Sequence, residues 1–219
     1  MRAIDIEMID WSLYAILDKE FVRNRSISIL TEELIKGGAT VVQLRNKFSP
    51  AKDYYEDALL VKEITGQFDI PLIINDRLDI ALAIEAEGVH LGQKDLPIPA
   101  AKKMLGDSMI IGASVHNLAE LERSVSAGAD YLGVGTIYST RTKDNLSVAG
   151  VEIIAKLRPL THLPMVAIGG IKIDNLQPVI QAGADGVAVI SALLDTEDVY
   201  QRTKDFSTVV KQAKSKIDK

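Results

Sequence analysis

Short apolar runs rich in Val, Ile and Leu recur along the chain. There are eight: Leu13–Leu17, Val41–Leu44, Leu72–Ile74, Val89–Leu91, Ile110–Ala113, Tyr131–Val134, Met165–Ile168 and Val187–Ile190. They lack clean apolar/polar alternation, the pattern of parallel strands buried on both faces. The longer stretches between them carry helical periodicity. In Asn117–Ala127, Leu118, Leu121 and Val125 fall three and four residues apart, and Glu120, Glu122 and Arg123 take the other faces. The junctions repeat as well. KGGATVVQLR, AEGVHLG, AGADYLGVG and AGADGVAVI each read as a helix end, a glycine that permits a left-handed cap, and a buried strand.

Parallel strands need a crossover, usually a helix. Eight strand–helix units in about 200 residues predict an α/β fold, a single (β/α)8 TIM barrel at the compact end of its size range. The barrel core is expected over about 13–194, with an N-terminal extension at 1–12 and a C-terminal helix at about 196–219. A doubly wound open sheet is the alternative, but it would show fewer strands at this length, and no GxGxxG follows the first strand. No linker, low-complexity tract or charge block divides the chain.

Composition narrows the function. The 219 residues are 47% hydrophobic and 25% charged, ordinary for a globular protein. Cysteine is absent, which removes disulfides, zinc–thiolate sites and thiol nucleophiles. The net charge of -5 argues against nucleic acid as a partner but permits a local cationic mouth for an anionic substrate. The start, MRAIDIEMIDW, lacks the basic and apolar regions of a signal peptide, and no apolar run approaches the roughly 18 residues that cross a bilayer. A cytoplasmic protein with no membrane partner is expected.

In such a barrel, chemistry lies where strands end and helices begin. Gln43 and Arg45, two apart, share one face of the second strand. Asp76 and Asp95 follow the third and fourth strands, so the barrel makes them neighbours. Paired carboxylates suit Mg2+, which accepts hard oxygen ligands and shares them with substrate phosphates; each Asp would equally serve as a helix N-cap, Asp95 before Leu96-Pro97 especially. Arg45, Lys47, Arg141 and Lys143 either form a cationic rim for an anion or are solvated loop charges. Gly169-Gly170 and Ser191, after strands seven and eight, stand where this fold frequently binds phosphate. His90 reads as a hydrogen-bonded core residue, His116 as a helix start, and Tyr54-Tyr55 as helix packing. No Ser/His/Asp triad is assignable.

These residues resemble a known family. QLRNK, INDRLDIALAIEAEGVHLGQKDLP, IGASVHN, GADYLGVGTIYSTRTK, AIGGI and GADGVAVIS are similar, in order, to the motifs of thiamine-phosphate synthases. The similarity runs from about Leu13 to Leu194, and NDR, GQxD and TxTK in combination are its specific part. The resemblance implies an enzyme that joins 4-amino-2-methyl-5-(diphosphooxymethyl)pyrimidine to a thiazole phosphate, releasing pyrophosphate and using Mg2+ as cofactor. It implies Asp76 and Asp95 as the Mg2+ ligands. It implies Gln43, Leu44, Arg45, Asn46, Lys47, Asn75, Ser114 and Lys143 for the pyrimidine diphosphate, with Lys143, Arg45 and Ser114 the catalytic positions. It implies Thr140, Arg141, Thr142, Gly170, Ile190 and Ser191 for the thiazole phosphate. The partners expected are these small molecules; a homo-oligomer is compatible with the sequence. Thr136, Tyr138 and Ser139 depart from the family's proline-rich GPIFPT, which predicts a less rigid loop after strand six. Two rivals remain: a thiazole tautomerase, which needs a base such as histidine near the thiazole, and a non-catalytic phosphate-ligand sensor on the same scaffold.

Overall fold

A computed structural model describes residues 6–106, 108–140 and 148–216. Among them are eight parallel strands: β1 (Leu13–Asp18), β2 (Val41–Arg45), β3 (Leu72–Asn75), β4 (Gly88–Leu91), β5 (Ile110–Val115), β6 (Tyr131–Gly135), β7 (Met165–Ile168) and β8 (Gly186–Val189). Each pairs with the next, and β8 returns to β1 through Leu13↔Val187 and Ala15↔Val189, closing the barrel. Every apolar run became a strand, with ends within two residues of the expectation. The main crossover helices are Ile27–Lys36, Ala51–Gln67, Leu78–Ala83, Ile98–Leu105, Leu118–Ser126, Glu152–Leu157 and Leu176–Gln181, and Val199–Lys214 closes the chain.

Their local signals are those of the sequence. Ser26 caps Ile27–Lys36 by accepting from the Ile29 amide, and that helix buries Ile27, Leu30, Leu34 and Ile35 against the barrel. Asn117 accepts from the Glu120 amide at 3.0 Å, while Glu120 reaches back to the His116 amide at 2.8 Å, a reciprocal cap. His116 therefore sits at a helix start, as read.

The helix-to-strand junctions follow the glycine rule at three sites: Gly38, Gly128 and Gly183 have φ of 105°, 85° and 105°. AEGVHLG does not. There Glu85 takes the left-handed conformation (φ 52°), and Gly88 is the first residue of β4. A Cβ on Gly88 would lie 2.5 Å from the Ile110 carbonyl oxygen, so this glycine answers strand packing instead.

The same junctions seal the bottom of the barrel. The residue before each even-numbered strand accepts a hydrogen bond from the start of the strand before it. Thr40 Oγ1 takes the Leu13 amide at 3.0 Å, Glu87 Oε2 that of Leu72 at 2.9 Å, Asp130 Oδ2 that of Ile111 at 2.7 Å and Asp185 Oδ2 that of Met165 at 2.7 Å. These amides lie at the mouth of an apolar core, where an unpaired donor is costly. The described part of the loop after β6 is tied back to the barrel at three points. Ile137 N–H donates to the Ile168 carbonyl at 3.0 Å, Tyr138 N–H to that of Gly169 at 2.9 Å, and the Tyr138 hydroxyl to that of Asn175 at 3.0 Å.

Because the N-terminal face serves stability, Asp185→Ala is expected to cost roughly 1–3 kcal/mol by orphaning the Met165 amide. Ligand affinities at the opposite rim should stay at wild-type values. Denaturant melts and titrations on one preparation check both; an unchanged midpoint contradicts the account.

Candidate functional site

The C-terminal ends of β2 to β5 line a cavity, with Gln43, Arg45, Lys47, Asn75, Asp76, His90, Asp95 and Ser114 in its wall. The strand period explains who is there. Gln43 and Arg45 on β2, and Tyr14 and Ile16 on β1, are two apart and face inward together. Arg45 is buried and ion-paired with fully buried Asp18 at the end of β1, with Glu20 at 3.8 Å from the same guanidinium nitrogen. Asp18 also accepts from the Glu20 amide at 3.1 Å. The guanidinium is thus fixed from one side.

Asp76 and Asp95 stand together. Burial, and then the neighbouring Asp76 carboxylate, push the Asp95 carboxyl above the usual carboxylate range. The alternative that these acids cap helices fails. The helices after β3 and β4 take Arg77 and Pro97 as their N-cap residues, and Asp95 Oδ2 instead accepts from the Gly92 amide at 2.7 Å. Asp76 holds a left-handed backbone (φ 62°), tied by its amide to the His90 carbonyl at 2.9 Å. That conformation costs roughly 1–2 kcal/mol in an ordinary L-residue, and strain of this kind clusters at functional sites. Lys47 is ion-paired with Asp76. Among the described residues no group of three or more His, Asp or Glu side chains gathers as a metal cage. Two carboxylates with room for further oxygens suit Mg2+, which keeps waters and substrate phosphates in its shell.

A second cavity adjoins the first. Thr140, Gly170, Ile190 and Ser191 line it, and Ser114, Gly133, Ile168, Ala188 and Ile190 belong to both walls. Gly170 (φ 63°) runs so close to the loop after β6 that a Cβ would lie 2.5 Å from the Ser139 carbonyl oxygen. The described part of the rim is one two-chambered site: acids and cations in one chamber, glycine and hydroxyls in the other.

A family model described as thiamine monophosphate synthase matches residues 13–193. The chain belongs to that family. A thiamine-phosphate synthase of Clostridium acetobutylicum is 42% identical over 208 residues, 95% of this chain and 99% of the relative. One from Clostridium novyi is 44% identical over 202 residues, 92% of this chain and 99% of its own. The solved thiamine phosphate pyrophosphorylase from Pyrococcus furiosus superposes with a TM-score of 0.86 at 36% identity, covering 94% of this chain and 98% of that one. The chain is accordingly a transferase of thiamine biosynthesis, and its family match spans every strand of the barrel. No helix among the described residues is long and apolar enough to cross a membrane.

Of the residues that the resemblance to thiamine-phosphate synthases marks, the structure brings Gln43, Arg45, Lys47, Asn75, Asp76, Asp95 and Ser114 to one chamber, and Thr140, Gly170, Ile190 and Ser191 to the other. Leu44 departs. Its side chain is fully buried and does not line the chamber, and its carbonyl accepts from the Tyr54 hydroxyl at 2.8 Å. Asn46 is buried; its Oδ1 takes the Ser49 amide at 3.0 Å, while Nδ2 has no partner among the described residues. Arg141, Thr142 and Lys143 lie outside the described residues. Sequence reasoning missed Asp18, Tyr14 and Tyr131. A polar side chain at the end of an otherwise apolar strand was the available signal for Asp18.

Removing Asp18 leaves a buried guanidinium uncompensated, and Asp18→Ala is expected to lose roughly 3–5 kcal/mol of stability. Chemical denaturation measures it; a loss under about 1 kcal/mol would show that Arg45 is balanced elsewhere.

Proposed function

We propose that the chain joins 4-amino-2-methyl-5-(diphosphooxymethyl)pyrimidine to a thiazole phosphate, giving thiamine monophosphate and pyrophosphate, in the cytoplasm. The first chamber takes the pyrimidine diphosphate and the second the thiazole phosphate. The observation that carries this is the Asp76–Asp95 pair beside Lys47 and Arg45, opening onto a chamber that shares a wall with the Gly170–Ser191 pocket.

Asp76 and Asp95 would hold Mg2+, which when bound supplies positive charge to the departing diphosphate oxygens. Lys47, now the counter-ion of Asp76, is within reach of the same oxygens once a cation takes its place. Arg45, held by Asp18, keeps the rest of its guanidinium fork for a phosphate. Asn46, whose buried Nδ2 has no partner among the described residues, is assigned to the diphosphate on the resemblance. Gln43 and Ser114 hold the ring. Lys143 is assigned to the diphosphate, and Arg141 and Thr142 to the thiazole phosphate, on the resemblance alone.

The reaction needs no protein nucleophile. The bond from the pyrimidine methylene to the diphosphate oxygen breaks, and its electron pair leaves with pyrophosphate. The cationic methylene, stabilised by the ring's amino group, accepts the lone pair of the thiazole nitrogen. The protein fixes the two reactants in line, and Ile168, Ala188 and Ile190 give the shared wall an apolar surface that keeps water from the cation. A tautomerase would use the second chamber and have no need of the carboxylate pair.

The test is pyrophosphate release by purified protein with both substrates and Mg2+. Release is expected to require all three and to stop on chelation; release without the thiazole phosphate, or thiazole isomerisation alone, contradicts the proposal. Asp76→Ala should abolish the Mg2+-dependent turnover, and near-normal turnover would remove Asp76 from the metal site. Ser191→Ala should weaken thiazole-phosphate binding by roughly 1.5–3 kcal/mol through loss of a charge-assisted hydrogen bond. An unchanged Kd would take Ser191 out of that pocket.

A further inference from the structure

A chain of hydrogen bonds, buried at Gln43, Tyr14 and Tyr131 and half-buried at His90 and Ser114, runs along the wall of the first chamber and joins the two side chains assigned to the pyrimidine ring. Gln43 Nε2 donates to Tyr14 Oη at 2.8 Å, Tyr14 Oη meets Tyr131 Oη at 2.7 Å, Tyr131 Oη meets His90 Nδ1 at 2.9 Å, and His90 Nε2 meets Ser114 Oγ at 2.9 Å. Both phenols are fully buried, and burial pushes each well above the ordinary tyrosine range, so each carries one proton. The barrel makes room for this chain with glycine. A Cβ on Gly112 would lie 2.1 Å from Tyr131 Cζ, and one on Gly133 would lie 2.9 Å from His90 Cε1. Glycine within a strand forgoes packing and costs entropy, and it often marks such a close approach.

Counting protons sets the direction. Tyr14 already receives one from Gln43, so its own proton goes to Tyr131. Tyr131 then gives its proton to His90 Nδ1, which must be an acceptor. On this count His90 would carry its proton on Nε2 and give it to Ser114 Oγ. A ring protonated on Nδ1 would aim a second donor at Tyr131 and strand the Tyr131 proton. At the two ends the consequences are opposite. Gln43 has committed its amide nitrogen and presents its oxygen, an acceptor, to the chamber. Ser114 accepts from below and presents its proton, a donor.

We infer that Tyr14, Tyr131 and His90 form a positioning relay that fixes Gln43 as an acceptor and Ser114 as a donor, and thereby selects a ring bearing an amino group over its oxo counterpart. This rests on the reading of the first chamber as the pyrimidine site. An aminopyrimidine offers an N–H to Gln43 and an unprotonated ring nitrogen to Ser114. A 4-oxopyrimidine sets a carbonyl oxygen against the Gln43 oxygen. An isolated glutamine would turn its amide over to suit either ligand. Here the turn reverses every link, and Ser114 would lose the free proton that its own ring contact uses. The relay thus makes a local amide flip a concerted event across β1, β2, β4, β5 and β6. Buried polar groups left unpaired are the strongest means by which a site rejects an analogue.

Two measurements decide it, neither needing turnover. The first is the affinity of the protein with Mg2+ for 4-amino-2-methyl-5-(diphosphooxymethyl)pyrimidine and for its 4-oxo analogue, with no thiazole phosphate present. The amino ligand should bind at least about 100-fold more tightly. In Tyr131→Phe, which cuts the chain between its two ends, that ratio should fall at least tenfold. A pocket merely loosened would weaken both ligands alike and leave the ratio standing, and an unchanged ratio overturns the inference. The second is the nitrogen-15 signature of His90 in the unaltered protein, assigned by its disappearance in His90→Gln. A proton on Nε2 is expected, and a proton on Nδ1 overturns the relay even where Tyr131→Phe fails to fold. Protein that binds the amino ligand selectively but releases no pyrophosphate would sink the synthase reading and leave this one intact.

Discussion

The pairing of β8 with β1 is the constraint on which the rest of the molecule depends. An open sheet of eight parallel strands would carry two edges with unmet backbone groups, and its first and last strands would be far apart. Closure through Leu13↔Val187 satisfies those groups and brings the end of every strand to one rim. It also sets Ile190 and Ser191, which follow β8, beside a chamber whose polar side chains come from residues 14 to 114. Neither chamber exists without it.

The two ends of the barrel solve different problems with similar residues. At the bottom, Thr40, Glu87, Asp130 and Asp185 each spend an oxygen on the first amides of a neighbouring strand. At the top, Asp95 is half-buried beside the Asp76 carboxylate, and both burial and that neighbour raise the cost of its charge, with Lys47 as a partial answer. An acid that accepts backbone N–H groups stabilises the fold. An acid placed against another acid is a poor contributor to stability and a good seat for a cation.

Between these ends the barrel interior is polar on one side. Tyr14, Tyr131 and His90 are enclosed by strands, yet every polar atom they carry on the relay is paired. Low local dielectric strengthens a fully connected chain of this kind and penalises any broken link. The same chain that satisfies buried phenols therefore constrains the groups at its ends, so that core packing and ligand selection become one problem.

The eight apolar runs determined the strands, and the Ser, Asn and Asp residues before periodic stretches determined several helix starts, because these are signals between residues close in sequence. The motifs at the strand ends carried the family and most of the rim, Asp76 and Asp95 included. What the sequence could not decide was which residue met which across the barrel. Leu44 sits inside a motif and still turns away from the chamber, because strand alternation sends neighbours to opposite faces. Gly88 looked like a helix cap and proved to be a strand glycine, because the carbonyl it avoids belongs to Ile110 on another strand. Tyr14 and Tyr131 fall within two apolar runs, 117 positions apart; only closure of the barrel places their hydroxyls within hydrogen-bonding distance and makes them one device.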